Sequence, residues 1–229
     1  MKRLLAVGLL FVLCGVAIAD DRSDDVERVQ KAADALNEIM AAPDKGIPEE
    51  IISSAKCLAV IPSMKKGALG VGGQYGKGLA SCRTGSGWSA PAFFILRGAS
   101  FGFQIGGQEA DIVMVVMNDK GMQNLLSSKF KLGADASVAA GPVGRHADAS
   151  TDWKMRAEVL TYSRARGIFA GISLNGAAIN QNQDDTRAFY GRMVPFKTIL
   201  TGAIGAPGGS EPWMTALRKH SGTGVASAK

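Results

Sequence analysis

The sequence predicts an α+β domain with a strongly curved, glycine-rich antiparallel β-sheet or partial barrel, N-terminal amphipathic helices and short C-terminal helices. The hydrophobic period is helical near the N-terminus and becomes two from residue 58 onward. Glycine accounts for 29 of 229 residues, about 13% against a usual ~7%. Glycines along one face of a strand allow tight bending or close packing. A content of 46% hydrophobic residues excludes a mainly disordered chain.

The N-terminus has the three parts of a secretory signal peptide. A basic start at 1–3 is followed by the apolar run 4–18 and by a small-residue exit at 17–19. We therefore expect residues 1–19 to be removed on export. Lipidation at Cys14 is disfavoured, because Leu13 precedes it instead of a small residue. Removal of 1–19 lowers the net charge from +6 to +4.

Two amphipathic helices are predicted next. Residues 24–42 place apolar side chains on one face and charged ones on the other, with Ser23 as the expected N-cap. A shorter helix begins at Pro48. The alternatives for this pair are packing against the core and insertion into a membrane. The acidic polar face of 24–42 favours core packing, since interfacial helices are usually basic.

The rest of the chain alternates between strand and helix patterns within one domain, 20–220, followed by a tail at 221–229. Strands are predicted at 58–62, 65–78, 92–96, 100–106, 111–117, 130–140, 154–163 and 167–174. Helices are predicted at 120–128, 186–191 and 211–219, with Asn118–Asp119 capping the first and Ser210 the last.

Two cysteines, Cys57 and Cys82, remain in the exported chain. An even number of cysteines in an oxidising compartment favours a disulfide, and the alternative is a pair of buried free thiols.

No catalytic, cofactor or metal site stands out. Gly98–Gly102 matches G-x-S-x-G, but the pattern stays extended to Ile105, whereas that motif needs a strand turning into a helix. The glycines of 70–78 form neither a dinucleotide fingerprint nor a phosphate loop. His146 lacks a second ligand at metal spacing. Asp111 and Asp135 are predicted to be structural, each satisfied by an arginine or by backbone N–H groups.

Basic residues beside strands and glycine turns are the more suggestive feature. If several converge, they form a cationic patch suited to phosphate groups; otherwise they are scattered solubilising charge. Nucleic acid is disfavoured for an exported protein of charge +4. The residues concerned are Lys65, Lys66, Lys77, Arg83, Arg97, Lys129, Lys131, Arg145, Arg164 and Arg166.

Several segments, in order, resemble the SYLF domain family over about 35–205. The most specific are A-A-G-P-V-G-R at 139–145 and Y-S-R-x-R-G-I-F-A-G at 162–171. The other matching segments are 66–78, 88–93, 98–106, 131–138 and 172–174.

The resemblance implies a lipid-binding module without catalysis or cofactor. Relatives in eukaryotes bind phosphoinositides, and the yeast type also binds actin. Because bacterial relatives are small exported proteins, the resemblance implies a non-enzymatic protein of a bacterial periplasm or outer-membrane periphery. We expect it to bind anionic phospholipid or phosphoinositide-like head groups at a membrane surface. The expected contacts are Lys65, Lys66, Arg145, Arg164 and Arg166. The alternative is a cell-envelope structural or interaction domain that pairs with a partner protein through a sheet edge.

Overall fold

The computed structural model describes residues 16–42, 46–143, 157–165, 168–169 and 173–221. Within these ranges the helices are α1 (Val16–Met40), α2 (Glu49–Ser54), α3 (Asp119–Leu126), α4 (Gln183–Tyr190), α5 (Phe196–Leu200) and α6 (Glu211–Ser221). The strands are β1 (Cys57–Thr84), β2 (Gly87–Trp88), β3 (Ala92–Val116), β4 (Lys129–Lys131), β5 (Val138–Ala140), β6 (Val159–Ala165), β7 (Ile168–Phe169) and β8 (Ala178–Gln181).

The predicted α+β class and the strongly curled sheet are confirmed. β1 and β3 form a long antiparallel ribbon, from the pair Cys57–Val116 to the pair Ala80–Ala92. The five strand patterns predicted between 58 and 117 therefore belong to two continuous strands, with irregularities in pairing after Ile61 and Ala68. β6 and β8 pair with β3, and β4 pairs with β8. The sheet is not purely antiparallel, because β5 pairs with β6 in parallel.

The ends of β1 meet, because the strand bends back over itself. Arg83 N donates to Lys56 O at 2.8 Å, and the predicted disulfide joins Cys57 to Cys82. A Cβ on Gly78 would lie 2.5 Å from Val60 O, and one on Gly76 would lie 2.4 Å from Ile61 Cγ2. Glycine at these two positions permits the close approach that was predicted for this segment.

Alternating side chains of β1 and β3 enter two separate hydrophobic cores. Ala59, Ile112 and Met114 face the core inside the curl, which α3 and α5 close with Leu125 and Phe196. The opposite face packs under α1, α2 and α6. The second core contains Val29, Leu36, Ile52, Leu58, Val60, Phe93, Val113, Val115, Trp213 and Leu217. The amphipathic helices thus cover the sheet, as predicted for core packing.

Several boundaries differ from the predicted ones. α1 begins at Val16, so Ser23 lies inside the helix and not at its N-cap. The predicted strand over 130–140 is interrupted by a turn, in which Gly133 has φ +85°. Asn182 caps α4, so this helix starts before the predicted 186. β8 and α5 had no predicted counterpart, because each is too short to show a clear period.

The structure also shows the hydrogen bonds of the predicted helix caps and of the two aspartates, Asp111 and Asp135. Asn118 accepts from Gly121 N, as expected. Ser210 precedes α6 as predicted, but its buried Oγ has no hydrogen-bond partner among the described residues. The expected backbone partners of the two aspartates are confirmed: Ser63 N donates to Asp111 Oδ1 at 2.8 Å, and Lys131 N donates to Asp135 Oδ2 at 2.7 Å. Asp135, however, lies in the 133–135 turn and not in a strand.

Candidate functional site: a basic sheet face

One face of the sheet is only partly covered by helices. The second core ends near the paired residues Leu79 and Phe93, which α4 contacts through Phe189. Two residues further along the ribbon, the same face carries Lys77 opposite Ile95, and then Tyr75 opposite Arg97. Residues two apart on a strand share a face, as do residues directly opposite in an antiparallel pair. The uncovered part therefore continues the helix-covered face.

Register across four strands brings cationic side chains together on this uncovered part. One row is Lys129, Asn180, Ile95 and Lys77, and the neighbouring row is Lys131, Ala178, Arg97 and Tyr75. Four strands span about 15 Å and the rows lie about 7 Å apart. We call these eight residues the basic sheet face. It carries four cations and no carboxylate within its two rows.

The four cations differ in their surroundings. Lys129, Lys131 and Arg97 are exposed, and they form no ion pair with any residue in the described ranges. The Arg97 guanidinium lies 5.8 Å from the centre of the Tyr75 ring, and Tyr75 is 43% exposed. Lys77 lies at the border with α4, where its Nζ is 2.9 Å from Asp185 Oδ1. Three positive charges thus face solvent without an ion-pair partner in the described ranges, which suits an extended anionic surface.

A groove adjoins the basic sheet face and shares Tyr75 and Lys77 with it. The groove lies between α1 and β1, has a volume of about 390 Å³ and is also lined by Lys31 and Lys65. Lys31 forms an exposed pair with Glu27 on the same helix, with Nζ 2.7 Å from Oε1. Lys65 is exposed and forms no ion pair with a described residue.

Of the five expected contact residues, the structure describes Lys65, Lys66 and Arg164. Lys65 lines the groove, but Lys66 follows it on β1 and points to the opposite face. Arg164 forms an ion pair with Glu38 of α1 and lies opposite Asp111 in the sheet. This places Arg164 in the contact between α1 and the sheet. Arg145 and Arg166 lie outside the described residues.

Sequence reasoning named Lys77, Arg97, Lys129 and Lys131 as basic residues near strands but did not select them. The available signal was a spacing of two residues along a strand. It separates Lys129 from Lys131, Tyr75 from Lys77, and Ile95 from Arg97. The missing information was the pairing of β4 with β8 and of β8 with β3. Neither pairing follows from local sequence, because the partners are about 50 and 85 residues apart.

Other chemistry has little support in the described ranges. Gly98–Gly102 lies within β3, whose extended backbone continues to Val116, so the strand-to-helix turn of a nucleophile elbow is absent there. His220 lies on α6, with its Nε2 2.7 Å from Asn37 Oδ1 of α1. His146 lies outside the described residues. Within those residues, three or more metal-ligating side chains nowhere come together, and no helix is long and apolar enough to cross a membrane.

A family model and the similar proteins all relate this chain to the same family. Residues 97–220 match the model of the Ysc84 family, described as "Las17-binding protein actin regulator". The chain is 34% identical over 189 residues to SH3 domain-containing YSC84-like protein 1 of Rattus norvegicus, covering 80% of this chain and 55% of that protein. It is 32% identical over 188 residues to Protein YSC84 of Saccharomyces cerevisiae, covering 80% and 40%. The chain thus spans about half the length of these relatives.

Proposed function

The chain belongs to the Ysc84 family, whose domain is also called SYLF, and on that premise we propose that it is a non-enzymatic module that binds anionic phospholipid at a membrane surface. The observation that carries the proposal is the convergence of Lys77, Arg97, Lys129 and Lys131 on one uncovered sheet face. An array of cations on one sheet face, three of them without an ion pair among the described residues, is complementary to anionic head groups, and each lysine or arginine near such a surface contributes about 1 kcal/mol.

The non-enzymatic part of the proposal is supported by the description of the family, which refers to binding, and by the name of one relative. LAS seventeen-binding protein 3 of Saccharomyces cerevisiae is 34% identical over 188 residues. Export to a bacterial periplasm or outer-membrane periphery is supported by the signal-peptide pattern at 1–19 and by the buried disulfide Cys57–Cys82, since disulfides persist in oxidising compartments.

Cosedimentation with vesicles tests lipid binding. Wild-type protein should pellet with phosphatidylglycerol vesicles, should pellet much less with phosphatidylcholine vesicles, and should be released as salt is raised. Charge reversal of Lys129→Glu with Lys131→Glu should weaken binding at least tenfold, from ~1 kcal/mol per charge. Both side chains are exposed on the short strand β4, so the fold should persist.

The matched control is Lys197→Glu with Lys219→Glu. These lysines are also exposed, lie on α5 and α6, and give the same change in net charge. Their reversal should leave most of the vesicle binding intact. Equal loss in the two double variants would show that total charge, and not the basic sheet face, governs binding. Equal pelleting of the wild type with both lipids would refute the proposal.

A protein-interaction domain is the second candidate, favoured by the Las17-binding description of the family. The same basic face would then receive an acidic protein segment. Crosslinking in the native envelope that traps one protein at β4, together with no binding to vesicles of either lipid, would support this candidate over the first.

A further inference from the structure

The groove between α1 and β1 lies directly above a buried network of charges. Arg28 Nη1 contacts Asp25 Oδ1 at 2.5 Å and Asp185 Oδ2 at 2.6 Å. Asp185 Oδ1 in turn accepts from Lys77 Nζ at 2.9 Å. The network therefore links a buried carboxyl of α1, through α4, to a lysine of β1 that lines both the groove and the basic sheet face.

Asp25 is the unusual member of this network. Its side chain is 2% exposed, and its Oδ2 is buried without a hydrogen-bond partner in the described structure. Burying a carboxylate with an unpaired oxygen costs desolvation free energy while the group is ionised. Protonation of the carboxyl group removes the charge and with it most of that cost. Burial raises the pKa of Asp25 to about 7, and the nearby Asp185 acts in the same direction, while Arg28 and Lys77 oppose them.

The charge balance of the groove depends on that proton. With Asp25 ionised, the cations Arg28, Lys31, Lys65 and Lys77 are matched by the carboxylates Asp24, Glu27, Asp25 and Asp185, so the site is neutral. With Asp25 protonated, Arg28 alone can neutralise Asp185, and the ammonium of Lys77 becomes available to a ligand.

We propose that the groove is a proton-coupled anion site, in which a tetrahedral dianion of the phosphate class binds Lys31, Lys65 and Lys77 as Asp25 takes up a proton. Lys65 lies opposite Glu109 in the sheet but forms no ion pair with a described residue, and the exposed pair of Lys31 with Glu27 is weak enough to exchange. The volume of about 390 Å³ accommodates a phosphate and part of the group that carries it.

The inference rests in part on the proposed function, because Lys77 belongs to both surfaces. Lys65 belongs to the groove alone, whereas Lys129 and Lys131 belong to the basic sheet face alone. Variants at these positions therefore separate failure of the groove from failure of membrane binding. The ligand can be a phosphorylated head group or a soluble phosphate.

Sulfate is the appropriate first probe, because its charge is constant between pH 6 and pH 8. Backbone amide shifts of the wild-type protein would be followed by NMR during titration with sodium sulfate at fixed ionic strength. If uptake of the proton is obligatory and Asp25 titrates near pH 7, the apparent Kd at pH 8 should be about tenfold higher than at pH 6. No change in Kd between these pH values would overturn the coupling.

Variants assign the coupling to named residues. Asp25→Asn imitates the protonated acid and should bind sulfate at pH 8 about as tightly as the wild type does at pH 6, without dependence on pH. Lys65→Gln should abolish binding at both pH values, and Lys197→Gln, an exposed lysine outside both surfaces, should leave it unchanged. Persistent sulfate binding in Lys65→Gln would refute the site.

A second measurement covers the case in which Asp25→Asn does not fold. The carboxyl carbon of Asp25 in the wild type can be titrated by NMR with and without sulfate. Because linkage is reciprocal, bound sulfate must raise the pKa of Asp25, and an unchanged pKa would overturn the proposal. Lys65→Gln tested with phosphatidic acid vesicles and with inorganic phosphate then distinguishes a membrane head group from a soluble ligand.

Discussion

Arg83 holds the ends of two helices on the sheet. Its Nε donates to Ala55 O at 2.8 Å, and its Nη2 donates to Ser53 O at 2.9 Å and to Ser221 O at 3.0 Å. Its guanidinium also lies 4.7 Å from the centre of the Trp88 ring. These carbonyls lie at the ends of α2 and α6, where the helix dipole favours a cation. The side chain therefore fixes both helices relative to β1.

Replacement of Arg83 should be costly for this reason. Arg83→Ala leaves several carbonyls without a donor and should lower the free energy of unfolding by about 3 kcal/mol, measured by urea denaturation. Arg83→Lys should retain less than half of the stability that Arg83→Ala loses, because an ammonium group cannot donate in the forked geometry of a guanidinium. Arg187→Ala is the control, since the ion pair that Arg187 forms within the described residues is an exposed one with Asp184. Similar losses for Arg83→Ala and the control would contradict this role.

Asp25 should also affect stability, independently of any ligand. Its native pKa of about 7 lies above the model-peptide value of 3.8, so the folded protein holds this proton more tightly than the unfolded chain. The resulting stabilisation is complete below about pH 4 and is lost as pH rises through 7.

The expected result is a difference between wild type and Asp25→Asn that changes with pH. The unfolding free energy of the wild type, relative to that of the variant, should fall between pH 4 and pH 7 by up to ~1.4 kcal/mol per pH unit and remain constant above it. His220, whose pKa burial lowers, is present in both proteins and cancels in the difference. A flat difference over this range would show that Asp25 titrates normally.

At the level of elements, the bending of β1 back onto itself is the main feature that local sequence patterns do not predict. A continuous strand of 28 residues is far longer than the local sequence patterns indicate. Periodicity correctly located its extended segments, and glycine content correctly indicated bending. It could not show that 58–62 and 65–78 are one strand, because Pro62 and the bulge after Ile61 interrupt the alternation. Long-range closure of β1 on itself is likewise not encoded in any short window.

Gly78 should be intolerant of any side chain, because a Cβ there meets the Val60 carbonyl and the Phe94 ring. Gly78→Ala should therefore destabilise the protein by about 2–3 kcal/mol, as overpacking usually does. Gly67→Ala on the same strand is the matched control, since a Cβ at Gly67 has nothing within 4 Å. Thermal unfolding would compare the two, and equal melting temperatures would argue against the tight fold-back.

The disulfide closes the same strand at its ends. Cys57 and Cys82 are fully buried and 25 residues apart. The covalent loop lowers the conformational entropy of the unfolded chain and thereby stabilises the folded protein by about 3 kcal/mol. Replacing both cysteines with alanine should lower the free energy of unfolding by about that amount, and a reducing agent should act similarly on the wild type once it unfolds. If reduction leaves the melting temperature unchanged, the link contributes little to the closure.

On the scale of the whole molecule, family and fold class were predictable, but the arrangement of the candidate site was not. The motifs at 139–145 and 162–171 identified the family from sequence. The convergence of Lys77, Arg97, Lys129 and Lys131, in contrast, depends on pairing among β4, β8, β3 and β1. This strand pairing depends on how the two cores pack, and the sequence of a single segment does not indicate that packing.

The two-core architecture also indicates which part of the N-terminus is needed for folding. α1 contributes Val29, Leu36 and Ile39 to the second core, all fully buried. Among the side chains that the structure describes, those of α1 that contact other elements begin at Arg22, which donates to Gly208 O. The expected cleavage after Ala19 would remove the first four residues of α1 but none of the described side-chain contacts between α1 and other elements.

Two truncations test this division. A protein beginning at Asp20 should unfold at the same temperature as the full chain, within about 2 °C. A protein beginning at Lys45 lacks α1 and exposes the second core; loss of several buried apolar side chains, each worth about 1.5–3 kcal/mol, exceeds the stability of a typical domain. It should therefore show no cooperative unfolding transition by circular dichroism. A cooperative transition in the shorter protein would mean that the sheet with α2 and α6 forms an independent folding unit, and α1 would then be an accessory helix.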